Sequence, residues 1–332
     1  MENIHCVASL KALCVTTADV LSSLVGARRM IFLRRKNPGA VAGGVSAVSP
    51  RKNLDEYSGL LKLARNVRMN YQKGGTMRNE RFLPNDKLEE LVTEASVLLA
   101  LQETTIEQKY HMDLAAWVLK SSKRLFLILV MLTRDSEEQL SWLQDLKNDG
   151  ISDSVLPLGF SEIEPYYGYP LAGGAEGAQK FHAFKDWEDN NLLLFTVYQW
   201  MFLAPVFGDT STKFRHQLSS EQPLPLLNLA KNPARNSVLG EVLYGEIHPA
   251  HIDSQCLAAL GISTPGLQGI PVSVKMVQPS DNFDPFFDID TGRFKATLPG
   301  ISPGRIQPIA AYKKNGKDFV IFRWLDGSNL RN

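Results

Sequence analysis

The chain has 332 residues, 44% of them hydrophobic, which is enough for about two domains with buried cores. Its 36 lysine and arginine residues nearly balance its 35 aspartate and glutamate residues, so the composition excludes a strongly basic nucleic-acid-binding protein and a strongly acidic one. Its three cysteines have neither metal-like nor redox-like spacing. They exclude a disulfide framework and favour a reducing, intracellular compartment.

The first 52 residues form a basic segment. They contain eight basic and only two acidic residues, and the run NPGAVAGGVSAVSP near their end is typical of a flexible linker. We expect a disordered segment over residues 1–52. Residues 1–36 also have the low acid content and the arginines of a mitochondrial transit peptide. We therefore expect a cytoplasmic or nuclear protein and keep the mitochondrion as an alternative.

A helical domain is predicted over residues 53–220. Asp86 with Glu89 predicts a capping box at its first strongly periodic helix. The run LFLILVML, residues 125–132, is apolar on all sides and fits either a buried helix or a core strand, and its helical neighbours favour a helix. Gly150 is expected to end the last helix of this series. Apolar residues recur at helical spacing in three further segments, 86–99, 105–118 and 136–146.

A loop is predicted over residues 152–180, which are rich in proline, glycine and aromatic residues. A dense aromatic helix is predicted to follow over Phe184–Phe207, and Pro205 should end it because proline lacks the amide hydrogen. Residues 190–208 carry no charge, which raises the question of a membrane span. Polar side chains such as Gln199 and the absence of a basic flank favour a buried helix, so we expect no membrane association.

Short β-type runs replace the helical pattern after Gln222. They occupy Gly240–Ile247, Ile270–Val277, Arg305–Tyr312 and Phe319–Trp324, and glycine and proline separate them. We expect a small antiparallel sheet in a second domain, residues 221–332. The predicted fold class is α+β, with an N-terminal helical bundle followed by this sheet.

Five segments of the chain carry a family resemblance. They are QWMFLAPVF at 199–207, GEVLYGEIHPAH at 240–251, VSVK ending at Lys275, Arg305–Tyr312, and FVIFRWLDGSNL at 319–330. In this order and spacing they resemble the protein kinases, most closely a group of kinase-like proteins of filamentous fungi in which a helical region precedes the kinase domain. The resemblance implies that the sheet is the ATP-side lobe of a kinase, in a degenerate and truncated form.

The resemblance also implies a nucleotide site. Gly240 corresponds to the third glycine of the loop whose backbone amides approach the ATP phosphates, and Arg235 and Ser237 at the first two positions weaken that grip. Lys275 corresponds to the lysine that pairs with the α and β phosphates, and Phe322 to the gatekeeper. The implied cofactor contacts are Gly240, Val242, Lys275, Phe322, Trp324 and Leu325, the last two through backbone groups of the hinge.

The groups needed for phosphoryl transfer are missing from the sequence. No HRD, DFG or APE string occurs in residues 1–332, so no catalytic residue is assigned. No glutamate follows Glu246 to hold Lys275. Asp288 and Asp290 are candidates to replace it, but their neighbourhood is predicted to be a loop.

We expect no metal site. His248, His251 and Cys256 lie close together in the string HPAHIDSQC, which raises the question of zinc. Proline between the two histidines prevents a regular helical arrangement of ligands, and no fourth ligand is evident.

The predicted function is that of a non-catalytic kinase-like protein, a pseudokinase or truncated kinase that acts as an interaction module. Its partner would be an unidentified protein and not a nucleic acid, and ATP would bind only weakly. Two alternatives stay open. The chain could be a fragment of an active ATP-dependent serine/threonine kinase that retains weak ATP binding, or the helical domain could bind the partner while the kinase-like part has no role.

Overall fold

The computed structural model describes residues 59–75, 80–133, 138–161, 165–171, 179–208, 215–231, 242–259, 261–262, 269–277, 287–288, 293–294 and 308–324. They belong to one compact unit, Leu54–Asn332. The fold is mixed α+β, as the sequence predicts, with helices in the first part of the described chain and a six-stranded sheet in the last part. The predicted disordered segment lies outside the described residues.

The helices are α1 (Gly59–Met69), α2 (Asn85–Leu91), α3 (Glu94–Leu101), α4 (His111–Ser121), α5 (Lys123–Leu132), α6 (Glu138–Ser141), α7 (Leu143–Asn148), α8 (Asp189–Trp200) and α9 (Ser254–Ala259). The strands are β1 (Gln72–Lys73), β2 (Arg81–Phe82), β3 (Leu158–Phe160), β4 (Gly168–Pro170), β5 (Arg215–Gln217), β6 (Leu226–Lys231), β7 (Val242–Ile247), β8 (Ile270–Val277), β9 (Phe287–Asp288), β10 (Arg293–Phe294), β11 (Pro308–Lys314) and β12 (Lys317–Arg323).

Helix α5 is the centre of the helical part. Every side chain from Leu125 to Leu132 is buried, and α5 packs against α1, α4, α6 and α8. The predicted helix is therefore confirmed, and its apolar surface on all sides is explained by neighbours that surround it. Asp153 caps the N-terminus of α5: the Asp153 carboxylate accepts hydrogen bonds from the amides of Arg124 (2.9 Å) and Leu125 (3.0 Å).

The predicted helix over 86–99 is in fact two helices, α2 and α3. The N-terminus of α2 has no side-chain cap, so the predicted capping box of Asp86 and Glu89 is wrong. A capping box forms at α3 instead. The Thr93 hydroxyl accepts from the Ser96 amide (3.2 Å), and the Ser96 hydroxyl accepts from the Thr93 amide (2.9 Å). These bonds satisfy amides at a helix start, and the chain therefore begins a new helix there.

Two further predicted helices are divided by turns. The segment 105–118 begins with a 3-10 turn, Gln108–Tyr110, before α4 starts at His111. The segment 136–146 contains both α6 and α7. Gly150 follows α7 with a positive φ of 73°, a conformation that glycine adopts without steric cost, and it ends this series of helices as predicted.

One buried side chain joins α8 to the hairpin formed by β3 and β4. Helix α8 is shorter than the predicted Phe184–Phe207, and the hairpin lies inside the predicted loop 152–180. The side-chain carbonyl of Gln199 accepts from the Leu158 amide, and its side-chain amide donates to the Leu158 carbonyl, both at 2.7 Å. Gln199 thus makes the two bonds that a neighbouring strand would otherwise make.

The large sheet has the strand order β5-β11-β12-β8-β7-β6. The pairs β6–β7, β7–β8, β8–β12 and β12–β11 are antiparallel. Strand β5 runs parallel to β11 at the edge, so the predicted antiparallel sheet is a mixed one. The predicted strand Ile270–Val277 is confirmed as β8, and β7, β11 and β12 overlap the other three predictions. Strand β6 was not predicted. A register shift next to Asn228, whose φ is positive, interrupts its alternation.

Strand β5 was also not predicted. It lies before residue 221 in the chain, yet it pairs with β11. The sheet therefore takes residues from both sides of the predicted domain boundary.

A buried ion pair connects the helical part to the sheet. The Lys314 ammonium, at the end of β11, lies 2.8 Å from the Glu80 carboxylate and donates to the Gln222 carbonyl at 2.7 Å. The side chains of Lys314 and Glu80 are only 6% and 12% exposed. Because both charges are removed from water, each depends on the other for compensation.

Replacing Lys314 with alanine should lower the free energy of unfolding by roughly 3–5 kcal/mol, because the Glu80 carboxylate then stays buried without a counter-charge. Urea unfolding followed by circular dichroism measures the loss. Asp318→Asn is the matched control, since it breaks the more exposed Arg215–Asp318 pair and should cost less than about 1 kcal/mol. Equal losses for the two variants would contradict the assignment.

Replacing Gln199 with leucine should also destabilise the protein, because two buried backbone groups of Leu158 lose their partners at about 1–3 kcal/mol each. The leucine has a similar volume, so little of the loss comes from a cavity. Gln217→Leu, at an exposed glutamine on β5, is the control and should leave the urea midpoint nearly unchanged. An unchanged midpoint for Gln199→Leu would show that water replaces the lost bonds.

Candidate functional site

Four of the six implied nucleotide contacts lie in the part of the chain that the structure describes: Val242 on β7, Lys275 on β8, Phe322 on β12 and Trp324 just after β12. The other two, Gly240 and Leu325, lie outside it. The four described residues come from three strands that are neighbours in the sheet, β7, β8 and β12. Residues up to about 80 positions apart in the chain are therefore brought together by strand pairing.

The strand register places Val242, Lys275 and Phe322 on one side of the sheet. Lys275 is paired with Val242 on β7 and with Val320 on β12. The neighbouring row holds Ser273, paired with Tyr244 on β7 and with Phe322 on β12. Paired residues of antiparallel strands project from the same side. We call this side the lysine face and define it by Val242, Tyr244, Ser273, Lys275, Val320 and Phe322.

Sequence reasoning missed half of the lysine face, namely Tyr244, Ser273 and Val320. A period of two along each strand would have found them, because each lies two residues from a predicted contact. Their pairing across the sheet has no sequence signal of its own. It depends on the order in which the strands assemble.

The opposite side of the sheet is buried and holds the lysine face in position. Val272, Val274 and Ile321 project to that side and are at most 1% exposed. They pack in one core with Ile252 and with Leu257 of α9. Full burial of such side chains contributes roughly 1.5–3 kcal/mol each, so the sheet is a firm support. On the lysine face, Val320 is buried while the other five residues are half-buried.

The end of β12 differs from the arrangement that the resemblance implies. The amide of Trp324 donates to the Pro271 carbonyl at 3.0 Å, so pairing between β12 and β8 continues one residue past β12. The Trp324 ring stands edge-on to the Tyr244 ring, with the centroids 4.4 Å apart. A nucleotide base could accept a hydrogen bond from the Trp324 amide only by displacing Pro271.

Asp288, one of the two acidic residues named as candidate partners for Lys275, lies in a strand and not in a helix. Asp288 belongs to β9, which pairs with β10 through Asp288 and Arg293. The predicted loop thus contains a short hairpin. Asp290 lies outside the described residues.

Two of the strings that carry the family resemblance meet at a junction beside the sheet. His251 Nδ1 lies 3.0 Å from the Pro205 carbonyl, and the Phe207 amide donates to the His251 carbonyl at 2.9 Å. The Asp253 amide then donates to the Phe207 carbonyl at 2.8 Å. QWMFLAPVF and HPAH are therefore joined by backbone bonds, and their residues serve packing at this point.

Burial governs the ionisation of His251. Its side chain is 1% exposed, its Nε2 has no hydrogen-bond partner among the described residues, and the Phe82 ring meets it edge-on at 5.1 Å. Desolvation lowers the pKa of His251 to about 4, and the bond to the Pro205 carbonyl opposes this only in part. The ring is therefore neutral at physiological pH, with the proton on Nδ1 facing Pro205.

The predicted absence of a zinc site concerned His248, His251 and Cys256. The two histidine rings lie 6.1 Å apart, and His248 Nδ1 accepts a hydrogen bond from the Ala250 amide at 3.3 Å. Burial raises the pKa of the Cys256 thiol, which disfavours the thiolate that binds metal. Within the described ranges, no group of three or more His, Cys, Asp or Glu side chains could hold a metal ion.

The stability of the protein should fall as the pH drops from 6.5 towards 4. The unfolded chain has a His251 pKa near 6.5 and the folded chain one of about 4, so in this window the unfolded state binds the proton more readily. The shift corresponds to a loss of roughly 3 kcal/mol once both states are protonated. Asp86, Arg124 and His248 also act on this ring, so salt will modulate the loss.

His251→Asn tests this expectation, because asparagine can still donate to the Pro205 carbonyl but does not titrate. Urea unfolding at a series of pH values should show a weaker pH dependence for this variant than for the wild type. His182→Asn, at an exposed histidine, is the control and should keep the wild-type dependence. The same pH dependence in all three proteins would overturn the role assigned to His251.

Comparison with known proteins found no relative. No protein-family model, no curated protein and no solved structure matches the chain. In the described part of the chain, no helix has both the length and the apolar character needed to cross a membrane.

Proposed function

We propose that residues 221–332 form a kinase-like, nucleotide-binding lobe, and that the chain acts as a non-catalytic interaction module. The observation that carries this proposal is the register of β7, β8 and β12. It aligns Val242, Lys275 and Phe322 on one face of a sheet whose other face is buried. These are residues that the family resemblance, independently of any structure, assigns to ATP.

The chemistry of the lysine face fits a nucleotide. An ammonium group such as that of Lys275 makes charge-assisted hydrogen bonds to phosphate oxygens. Val242 beside it and Phe322 in the next row are half-buried and offer apolar contacts to a base and ribose, whereas Val320 on its other side is buried. Ser273, which has a small side chain, lies between Tyr244 and Phe322.

Nucleotide binding, without phosphoryl transfer, is the activity proposed for these 332 residues. Phosphoryl transfer requires an aspartate to orient the acceptor hydroxyl and further side chains to hold magnesium, and the sequence contains neither an HRD nor a DFG string to supply them. The engaged Trp324 amide also weakens the contact to the base. We therefore expect weak ATP binding.

Isothermal titration of the full chain with Mg-ATP tests the proposal. Saturable binding is expected, and Lys275→Ala should weaken it roughly 10- to 100-fold, because a charge-assisted hydrogen bond contributes about 1.5–3 kcal/mol. Lys317→Ala is the matched control. It removes an exposed lysine at the start of β12, away from the lysine face, and should bind as the wild type does.

Absence of saturable binding by the wild type would overturn the proposal. Equal binding by the Lys275→Ala and wild-type proteins would do so as well, since the nucleotide would then bind elsewhere. Circular dichroism of each variant verifies that the sheet is intact, so that a loss of binding is not mistaken for unfolding.

A further inference from the structure

The turn between β11 and β12 consists of two residues, Asn315 and Gly316. Both have positive φ, 52° and 74°, and both are exposed. The flanking residues Lys314 and Lys317 are paired, which closes the hairpin. Positive φ at both central residues is typical of the type I′ turn, for which Asn-Gly is the preferred sequence.

The same two residues form a reactive pair. The side-chain amide carbon of Asn315 is separated from the backbone nitrogen of Gly316 by three bonded atoms, so attack of that nitrogen closes a five-membered ring. Glycine has no side chain to obstruct the approach. Neither residue has a hydrogen bond to another residue in the described parts of the chain, so no partner has to be displaced.

We propose that Asn315–Gly316 is a site of spontaneous covalent modification. The Gly316 nitrogen gives its proton to solvent base and attacks Asn315 Cγ, the bond from Cγ to the amide nitrogen breaks, and ammonia leaves. The product is a cyclic imide. Water then opens the imide at one of its two carbonyls and yields aspartate or isoaspartate at position 315. No oxidant, reductant or cofactor is required.

The pair Asp149–Gly150 shows which contacts would protect such a site from ring closure. Asp149 precedes Gly150, but its carboxylate accepts hydrogen bonds from the amides of His182 and Ala183. The Gly150 amide donates to the Lys147 carbonyl at 3.0 Å. Both the electrophile and the nucleophile are held there, whereas the turn at Asn315 has neither restraint.

Modification would act on the sheet through the hairpin. Isoaspartate adds a methylene group to the backbone, which a two-residue turn cannot absorb without a change of register. The new carboxylate would lie next to Lys314, whose ammonium holds Glu80. Strand β12 carries Val320 and Phe322, so the lysine face would be disturbed by an event at the far end of the same strand.

Peptide mapping by mass spectrometry, after incubation of the full chain in mildly alkaline buffer, tests the proposal. We expect the peptide with Asn315 to gain the mass that replacing an amide by a carboxyl produces and to split into two chromatographic species. The conversion should be faster at higher pH, because the attacking nitrogen must lose its proton. Asn315→Gln, whose ring closure is slower because a larger ring must form, should lose both products.

Asn228 is an internal control in the same protein. It also has a positive φ, 53°, but leucine follows it, so its conversion should lag far behind that of Asn315. The proposal is overturned if Asn315 stays unconverted in the folded chain while a peptide of residues 308–324 converts under the same conditions. Equal conversion at Asn228 and Asn315 would also overturn it, since the turn would then have no special reactivity.

Discussion

The ion pair between Glu80 and Lys314 connects parts of the chain that are 234 residues apart. Two charges of this kind lose their hydration when they are buried, and only their mutual attraction and added hydrogen bonds compensate for it. Lys314 obtains a second acceptor in the Gln222 carbonyl. The pair therefore connects the segment before α2 to the end of β11 and, with the backbone bonds at Phe207, holds the sheet against the helices.

The strands of the lysine face are linked to this ion pair through β11. Strand β11 is held by Lys314, β12 pairs with β11, β8 with β12, and β7 with β8. Each pairing fixes the register of the next strand, because a shift of one residue would turn every side chain of that strand to the other face. The buried back face, with Val274 and Ile321 in the core, makes such a slip costly. Lys275 is thus positioned by contacts made far from it.

The strings that resemble kinases contribute to this protein in two different ways. Gln199 and His251 lie in two of them, yet both are buried and bond to backbone groups, so they serve packing. Val242, Lys275 and Phe322 lie on a partly exposed sheet face, where the proposed nucleotide site would be.

The sequence by itself determined the features whose cause is local. An apolar run predicted the buried helix α5, a short β-type run predicted β8 with its observed ends, and short strings identified Val242, Lys275 and Phe322 as candidates. Tertiary structure decided the rest: the helix break at Thr93, the parallel strand β5, the row that joins Lys275 to Val320, and the partner of Glu80. The periodic spacing of apolar residues indicates secondary structure, which involves residues close together in the chain. Strand order and buried charge pairs instead depend on groups that only the folded chain brings together.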